Sequence, residues 1–319
     1  MTTSTILAIS GGVGGAKLAL GLADEVSAAR LHLLVNTADD FEHLGLQISP
    51  DIDTLLYTLA GLSNQSLGWG VEGESWNAMD ALEQLGAETW FRLGDRDLAT
   101  HLWRTQTLAN GASFVQMVDL LAQRLGVDCN IHPMSEDPVR TTLSTDEGEL
   151  AFQHYFVRRQ CQPSVSAIYF KGIESACPNP AVMQLLVSNA PAAIVICPSN
   201  PFVSVDPILQ IPGMWQALRD CSAPVIAVSP IVAGMAIKGP AAKMMQELKL
   251  PVSALAVANY YSERYPGLLS GFVIDNSDAN LQGEIGALGM DVTVTNTIMR
   301  NREDKQKLAQ TVLRTVGLA

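Results

Sequence analysis

An α/β fold, with helices on both faces of a parallel sheet and a small inserted helical lobe, is predicted by two sequence patterns. Short apolar runs typical of buried strands alternate with helical segments over much of the 319 residues, as in a parallel sheet. From about residue 54 to residue 127 the pattern is almost wholly helical, which favours an insertion. The predicted organisation is therefore a discontinuous sheet domain, 1–53 and 130–319, around a helical lobe, 54–129.

Each predicted element has its own pattern. Apolar runs predict strands over residues 6–9, 31–35, 192–197, 225–228, 254–258, 271–274 and 292–294. Helical periodicity predicts helices over residues 18–26, 75–85, 100–108, 113–125, 241–248 and 304–316. Residues 139–157 alternate about the turn Thr145-Asp146-Glu147-Gly148, which predicts a hairpin.

The composition indicates a folded protein that acts on small molecules. Hydrophobic residues make up 48% of the chain and charged residues 16%, which excludes a disordered chain. The net charge of −12 argues against nucleic acid as a partner, because such binding needs clustered lysine and arginine. The chain has neither a basic leader segment nor an apolar run of roughly 18 residues, so we expect a cytoplasmic protein with no membrane partner.

A glycine-rich turn, Ser10-Gly11-Gly12-Val13-Gly14-Gly15, separates the first predicted strand from the first predicted helix. This arrangement directs backbone N–H groups and a helix N-terminus toward a phosphate. It is neither a full P-loop nor a full dinucleotide motif, since Lys17 follows too soon and takes the place of the third glycine. We predict phosphate binding at Gly12, Gly14 and Gly15, with close packing of strand and helix as the alternative.

Polar or turn residues follow five of the predicted strands. Ligands of open parallel sheets bind beyond the carboxyl ends of the strands, so these residues predict a shared site. They are Ser10-Gly11-Gly12, Asn36-Thr37-Ala38-Asp39-Asp40, Pro198-Ser199-Asn200-Pro201, Ser229-Pro230 and Asn259.

Carboxylates near the second strand predict a metal site. Asp39 and Asp40 are adjacent and would repel each other without a cation. Asp51 and Asp53 supply further oxygen ligands of the kind that Mg²⁺ prefers. Two alternatives stay open: Asp39 or Asp40 could bind the ribose of a nicotinamide-dependent oxidoreductase, and Asp51 and Asp53 could cap a helix.

Arg96 lies between Asp95 and Asp97, at a break between helical segments. A guanidinium oriented by two carboxylates would bind a phosphate, a carboxylate or a polar ring edge, whereas a surface ion pair is the alternative. His101 follows on the next turn and is a candidate base or a structural histidine.

Two later segments add candidate ligand contacts. Asn200 stands between two prolines, where its amide could read a base edge or form a turn. Residues 238–243, which end at Lys243, combine glycine, proline and lysine ahead of a helix, and so predict a second phosphate-binding loop. An ordinary crossover loop with solvated lysines is the alternative.

Taken together, these motifs resemble those of the 2-phospho-L-lactate transferase family of coenzyme F420 biosynthesis. The resemblance lies in ordered segments that span most of the chain. They are residues 10–15, 35–40, 48–54, 93–97, 134–138, 198–201 and 228–231.

The resemblance implies a Rossmann-like domain with a small helical insertion, and it implies a reaction. A terminal ribityl hydroxyl of the deazaflavin precursor, 7,8-didemethyl-8-hydroxy-5-deazariboflavin, attacks the phosphorus that bears an organic acid. GMP leaves and a phosphodiester forms. By the same likeness, Asp53 and Arg96 contact the deazaflavin, while the glycine turn, Asn200 and Lys243 contact the guanosine diphosphate moiety.

For catalysis we predict Asp53 and Asp39, with Mg²⁺ held by Asp39 or Asp40 together with Asp53. The transferred acid stays open among phospholactate, phosphoenolpyruvate and 3-phosphoglycerate, and so does a homodimer. A nucleotide-sugar-binding regulatory protein of the same superfamily is the alternative function. Such regulators carry Asp-Asp-Gly-Gly-Ser after the second strand, whereas this chain has Asp39-Asp40-Phe41-Glu42-His43.

Overall fold

The structure is a computed structural model that describes residues 4–64, 68–188, 191–236 and 239–318. Its strands are β1 (Ile6–Ser10), β2 (Leu31–Val35), β3 (Phe41–His43), β4 (Leu46–Ile48), β5 (Asn130–Pro133), β6 (Arg140–Thr145), β7 (Gly148–Ala151), β8 (Val165–Lys171), β9 (Ala193–Ile196), β10 (Val225–Val228), β11 (Ile231–Val232), β12 (Met235–Ala236), β13 (Gly271–Asp275) and β14 (Asp291–Thr295).

Helices connect these strands, together with short 3₁₀ and π-helical segments such as Pro201–Val205. They are α1 (Gly12–Glu25), α2 (Pro50–Leu59), α3 (Asn77–Gln84), α4 (Asp95–Ala109), α5 (Phe114–Arg124), α6 (Pro180–Ser188), α7 (Asp206–Gln210), α8 (Met214–Asp220), α9 (Ala241–Glu247), α10 (Ala254–Arg264), α11 (Gln282–Gly286) and α12 (Arg302–Thr315).

A parallel sheet forms the centre of the molecule and confirms the predicted α/β, Rossmann-like fold. Within the described ranges it has seven strands, in the order β14-β13-β10-β9-β1-β2-β5. Alternate residues of β1 face opposite cores: Leu7 and Ile9 pack on one side, Ile6 and Ala8 on the other. Helices α1, α2, α5 and α12 cover the second side, and α6 to α10 cover the first.

One predicted strand is wrong. Residues 254–258 lie in α10, where the Ser253 hydroxyl accepts a hydrogen bond from the N–H of Ala256 and caps the helix. The buried residues of this helix include Ala254, Val257, Ala258 and Tyr261, which recur at helical spacing. Asn259 therefore lies within a helix and not at a strand end.

Within the described ranges three smaller sheets accompany the central one: β3-β4, β11-β12 and β7-β6-β8. Strand β6 pairs with β7 about the turn at residues 146–147, which confirms the predicted hairpin, and β8 joins on the other side of β6. The alternation expected as far as residue 157 ends earlier, since His154–Arg158 is helical. The edge strand β5, which pairs with β2, was not predicted, because its four residues include Asn, His and Pro.

The helices predicted for the inserted lobe are observed, but they pack in two groups. Helices α2 and α5 contribute to the core that covers the sheet. Helices α3 and α4, with the β3–β4 hairpin, surround a separate small core of Ile48, Met79 and Leu93. Residue 54 falls inside α2, and the domain bounds themselves stay predictions.

Two further observations concern the length of the helices and the state of the cysteines. Over the ranges that the structure describes, every helix is too short or too polar to cross a membrane. The cysteines Cys129, Cys161, Cys177, Cys197 and Cys221 are free thiols. The predicted cytoplasmic location stays a prediction.

We expect Gly14→Ala to destabilise the protein. A Cβ at this position would overlap the carbonyl oxygen of Pro198, which is a backbone atom at the end of β9. The unfolding free energy from urea denaturation should fall by about 1–3 kcal/mol. The matched control is Gly283→Ala in α11, where a Cβ meets open space and the change should be neutral or stabilising by about 0.5–1 kcal/mol. Equal effects of the two substitutions would contradict the packing role.

Candidate active site

A cavity of about 610 Å³ opens at the carboxyl ends of the central strands. Its wall contains residues that follow β1, β2, β9, β10 and β14, in agreement with the predicted convergence of strand ends. Among the predicted site residues, Gly12, Gly14, Asp39 and Asn200 line the cavity, whereas Gly15, Asp40, Asp53, Arg96 and Lys243 do not.

Another part of the cavity wall contains a group of aromatic side chains. Trp90 and Phe91 come from the segment ahead of α4, Phe152 and Phe156 follow the β6–β7 hairpin, and Trp69 precedes α3. The Phe152 and Phe156 rings are stacked, with centroids 5.5 Å apart and planes 4° apart. The cavity therefore joins polar strand ends to a surface suited to a flat ring.

The glycine-rich segment forms the start of α1, which begins at Gly12 and not at residue 18, and it has the close packing considered as one of its two roles; phosphate binding stays a prediction. Gly12 has a φ of +61°, and a Cβ at Gly14 would collide with the Pro198 carbonyl. At Gly15 a Cβ would lie only 2.5 Å from the Ser10 hydroxyl and 2.7 Å from the Ser199 hydroxyl. Close packing thus demands Gly14 and Gly15, while the left-handed backbone favours glycine at position 12; Gly12 and Gly14 line the cavity.

Asp51 is the polar contact between this turn and α2. Its carboxylate accepts hydrogen bonds from the Gly12 N–H at 2.8 Å and from the Asn36 amide at 2.9 Å. Asp51 thus joins two other elements instead of capping α2, and it lines the cavity. Burial raises the pKa of Asp51 to about 6, although the bonds from Asn36 and Gly12 act to lower it.

Asp39 and Asp40 are both buried but have different surroundings. Burial first, and then the charge of Asp51, raise the pKa of Asp39 well above its usual range. The Oδ1 atoms of Asp39 and of Asp40 are both buried without a hydrogen-bond partner among the described residues. Asp40 accepts a hydrogen bond from the Ser49 hydroxyl at 2.9 Å, and burial raises its pKa to about 8.

Asp53 is engaged by a residue that the sequence did not single out. Both carboxylate oxygens of Asp53 meet the guanidinium of Arg104, one of them at 3.1 Å from Nη1. Arg104 is fully buried and also donates from Nη1 to the Gln47 carbonyl at 3.2 Å. Burial acts to lower the pKa of Arg104, but the carboxylate of Asp53 raises it above its ordinary value.

His101 and Asp97 extend this buried network. His101 Nδ1 lies 3.0 Å from Arg104 Nη1, and its Nε2 lies 3.2 Å from an Asp97 oxygen. The Tyr57 hydroxyl donates to the same Asp97 oxygen at 2.8 Å. Asp97, His101 and Arg104 are the buried residues of α4, and their spacing on one helix face was the signal available in the sequence.

Arg96 is not held by its two acidic neighbours, contrary to expectation. Its Nη1 donates to the Glu72 carbonyl at 2.7 Å, and its backbone N–H donates to Glu74 at 2.8 Å. Asp95 instead accepts hydrogen bonds from Ser75 and Asn77. Consecutive residues of a helix point in different directions, so the three side chains separate at the start of α4.

Asn200 and Lys243 differ in their access to the cavity. The Asn200 side-chain oxygen accepts from the Phe202 N–H at 2.9 Å, so its amide caps a π-helical turn at the cavity wall. Lys243 Nζ donates to the Pro163 carbonyl at 2.9 Å and pairs with Glu247. The cavity wall formed by the predicted loop consists of residues 239–241, while residues 237 and 238 lie outside the described ranges.

The described residues contain no group of three or more His, Cys, Asp or Glu side chains arranged to hold a metal ion. Asp39 and Asp51 are the carboxylates that both line the cavity and influence each other electrostatically. The Asp40 carboxylate accepts a hydrogen bond from Ser49, and the Asp53 carboxylate accepts one from Arg104.

Comparison with known proteins gives a consistent match over the chain. The family model described as 2-phospho-L-lactate transferase CofD matches residues 6–311. The chain is 34% identical to the 2-phospho-L-lactate transferase of Methanosarcina mazei, over 97% of this chain and 99% of that protein. It is also 34% identical to a phosphoenolpyruvate transferase of Kitasatospora aureofaciens, over 97% of this chain and 96% of that protein.

A solved structure shows the same fold. The crystal structure of a UPF0052 family member from Bacillus halodurans superposes with a TM-score of 0.66, covering 98% of this chain and 99% of that one. The two chains are 15% identical, so this likeness concerns architecture alone.

We expect Arg104→Met to destabilise the protein strongly, because it leaves the Asp53 carboxylate buried without its partner. The unfolding free energy should fall by about 3–5 kcal/mol. The control is Arg302→Met, which removes an ion pair to Asp24 from an arginine side chain that is 72% exposed. That loss should be below about 1 kcal/mol. Similar thermal melts for the two variants would contradict the proposed importance of the buried pair.

Proposed function

This chain belongs to the 2-phospho-L-lactate transferase family, and from that premise we propose its complete reaction. A phospho-organic-acid group is transferred from its guanosine diphosphate adduct to the ribityl hydroxyl of the deazaflavin precursor, with release of GMP. The observation that carries this proposal is a single cavity with two kinds of wall. Polar residues that follow the strands could bind phosphates, and the aromatic residues could bind a ring. Family membership makes the chain a transferase, which sets aside the oxidoreductase and regulatory alternatives.

The polar part of the cavity suits the donor. Val13 and Gly14 line it from the first turn of α1, where backbone N–H groups have no acceptor within the helix. Such a turn attracts phosphate through its N–H groups and through the helix dipole. Asn200 and Ser229, at the ends of β9 and β10, supply further polar groups for the nucleotide.

The aromatic part of the cavity suits the acceptor. Trp90, Phe91, Phe152 and Phe156 present large apolar surface, on which a deazaflavin ring can stack. A volume of about 610 Å³ is in the usual range for ligand cavities, roughly 300–1,000 Å³, so part of each substrate fits within it. The ribityl chain of a ring bound here would extend toward the strand ends, where the phosphates lie.

The transfer itself requires mainly positioning and neutralisation of charge. The acceptor oxygen forms a bond to the phosphorus that bears the organic acid, while the bond from that phosphorus to the GMP oxygen breaks. The hydroxyl proton of the acceptor is taken by one of the two predicted catalytic carboxylates, Asp53 or Asp39. Asp39 lines the cavity, whereas Asp53 acts from its pair with Arg104.

We further propose that Mg²⁺ binds between Asp39 and Asp51. The buried Asp39 Oδ1 without a partner, and the mutual repulsion of the two carboxylates, are what a cation would relieve. Mg²⁺ commonly uses one or two carboxylates plus substrate phosphates, so two protein ligands suffice. When bound, the ion supplies charge neutralisation to the phosphates. This ligand pair replaces the set of Asp39, Asp40 and Asp53 expected from the sequence.

The proposed reaction is tested by incubating the purified protein with the deazaflavin precursor and each guanylylated acid. We expect one mole of GMP per mole of phosphodiester product, identified by mass, for one or more of phospholactate, phosphoenolpyruvate and 3-phosphoglycerate. Omitting the acceptor should abolish GMP release. Failure of all three donors, with a correctly folded protein and Mg²⁺ present, would contradict the proposal.

Metal dependence is expected to follow Asp39 and Asp51. A chelator should abolish turnover and Mg²⁺ should restore it. Asp39→Asn and Asp51→Asn should raise the Mg²⁺ concentration for half-maximal activity by roughly tenfold or more, since each removes a charged ligand. Asp53→Asn is the comparison, and its Mg²⁺ requirement should stay near that of the wild type. Full activity in excess chelator would exclude the metal, and a large shift for Asp53→Asn alone would favour the original ligand set.

A further inference from the structure

Lys17 lies where the first helix meets the loop that follows β14. Its side chain lines the cavity, and its Nζ donates a hydrogen bond to the Met299 carbonyl at 3.1 Å. Val13 and Gly14, four and three residues earlier in α1, also line the cavity. Residues at these spacings share a helix face, so the ammonium and the first-turn N–H groups belong to one wall.

The carbonyl that receives Lys17 belongs to an anchored loop. Asp275, at the end of β13, is buried and accepts hydrogen bonds from the Thr297 N–H at 2.9 Å and from the Thr297 hydroxyl at 3.3 Å. Thr297 and Met299 both line the cavity. The Met299 carbonyl is therefore held at a defined position, which restricts where the ammonium can lie.

Two acidic and two basic side chains of the described residues line the cavity, Asp39 and Asp51 against Lys17 and Arg92, and Arg92 is paired with Asp80 at 3.5 Å. Asp39 and Asp51 contribute negative potential, and the bonds that lower the pKa of Asp51 come from neutral donors, Asn36 and Gly12. A diphosphate entering such a site is repelled unless positive charge accompanies it. Long side chains of a helix lean toward its N-terminus, which brings the Lys17 ammonium toward the turn where phosphate is expected.

We propose that Lys17 is a phosphate-binding residue whose ammonium contacts an oxygen of the donor's diphosphate; this inference rests on the proposed function. The hydrogen bond from the Lys17 ammonium to the Met299 carbonyl orients the group. Lys17 then supplies a point charge beside the N–H groups of the α1 turn. The sequence motif alone did not assign this role, because the lysine spacing differs from that of a P-loop.

The test measures equilibrium binding of GDP and of guanosine by calorimetry at fixed ionic strength. Lys17→Met keeps the length of the side chain but removes its charge, so GDP affinity should fall about tenfold or more while guanosine affinity stays unchanged. Lys17→Arg should retain GDP affinity within a few-fold. Lys307→Met is the matched control, since this lysine on α12 has a side chain that is 68% exposed. It should bind GDP as the wild type does.

The outcomes separate this inference from the reaction on which it rests. GDP binding that is equal in wild type and Lys17→Met overturns the role of Lys17 and leaves the proposed reaction standing. Loss of guanosine and GDP affinity to the same extent indicates a structural effect and also overturns it. If the wild type binds no GDP, both proposals fail. Should Lys17→Met not fold, as judged by circular dichroism, Lys17→Gln provides the same comparison.

Discussion

The close approach of the β1–α1 turn to the chain after β9 is the constraint on which the rest of the site depends. Gly14 lies against the Pro198 carbonyl, and the Gly11 N–H donates to the Ser199 hydroxyl at 3.1 Å. This contact fixes the direction in which α1 leaves the sheet. The orientation of α1 in turn directs the Gly12 N–H toward Asp51, and so places α2 beside the cavity. A side chain in the turn would displace all of these elements together.

Four aspartates are buried within a short stretch of sequence, and each has a different environment. Asp53 is neutralised by Arg104, Asp51 accepts bonds from neutral donors, and Asp40 accepts one from Ser49. Asp39 and Asp40 each keep an oxygen without a partner among the described residues. Burial of unpaired carboxylates opposes folding, so a protein retains them where a ligand uses them. Of the two aspartates with an unsatisfied oxygen, Asp39 lines the cavity and Asp40 does not.

The central fold could be predicted because buried parallel strands have a strong apolar signature, as β1 and β9 do. Strand β5 lacks that signature, and the apolar run 254–258 suits a strand and a buried helix equally until the Ser253 cap is considered. At the site, the acidic residues next to Arg96 in the sequence suggested that they orient its guanidinium. In the structure Arg96 instead donates to the Glu72 carbonyl, and Asp95 accepts from Ser75. Arg104 lies 51 residues from Asp53, so only the helical spacing with His101 and Asp97 could have drawn attention to it.

The Arg104 contacts affect how substrates and products can reach and leave the cavity. One guanidinium joins α4 to α2 through Asp53 and to β4 through the Gln47 carbonyl. Movement of α4 away from α2 would separate Arg104 from Asp53 and leave both charges buried without a partner. Opening of the cavity by such a movement is therefore energetically unfavourable. Passage would instead occur past Trp69 and Phe156, whose exposed fractions are 44% and 38%.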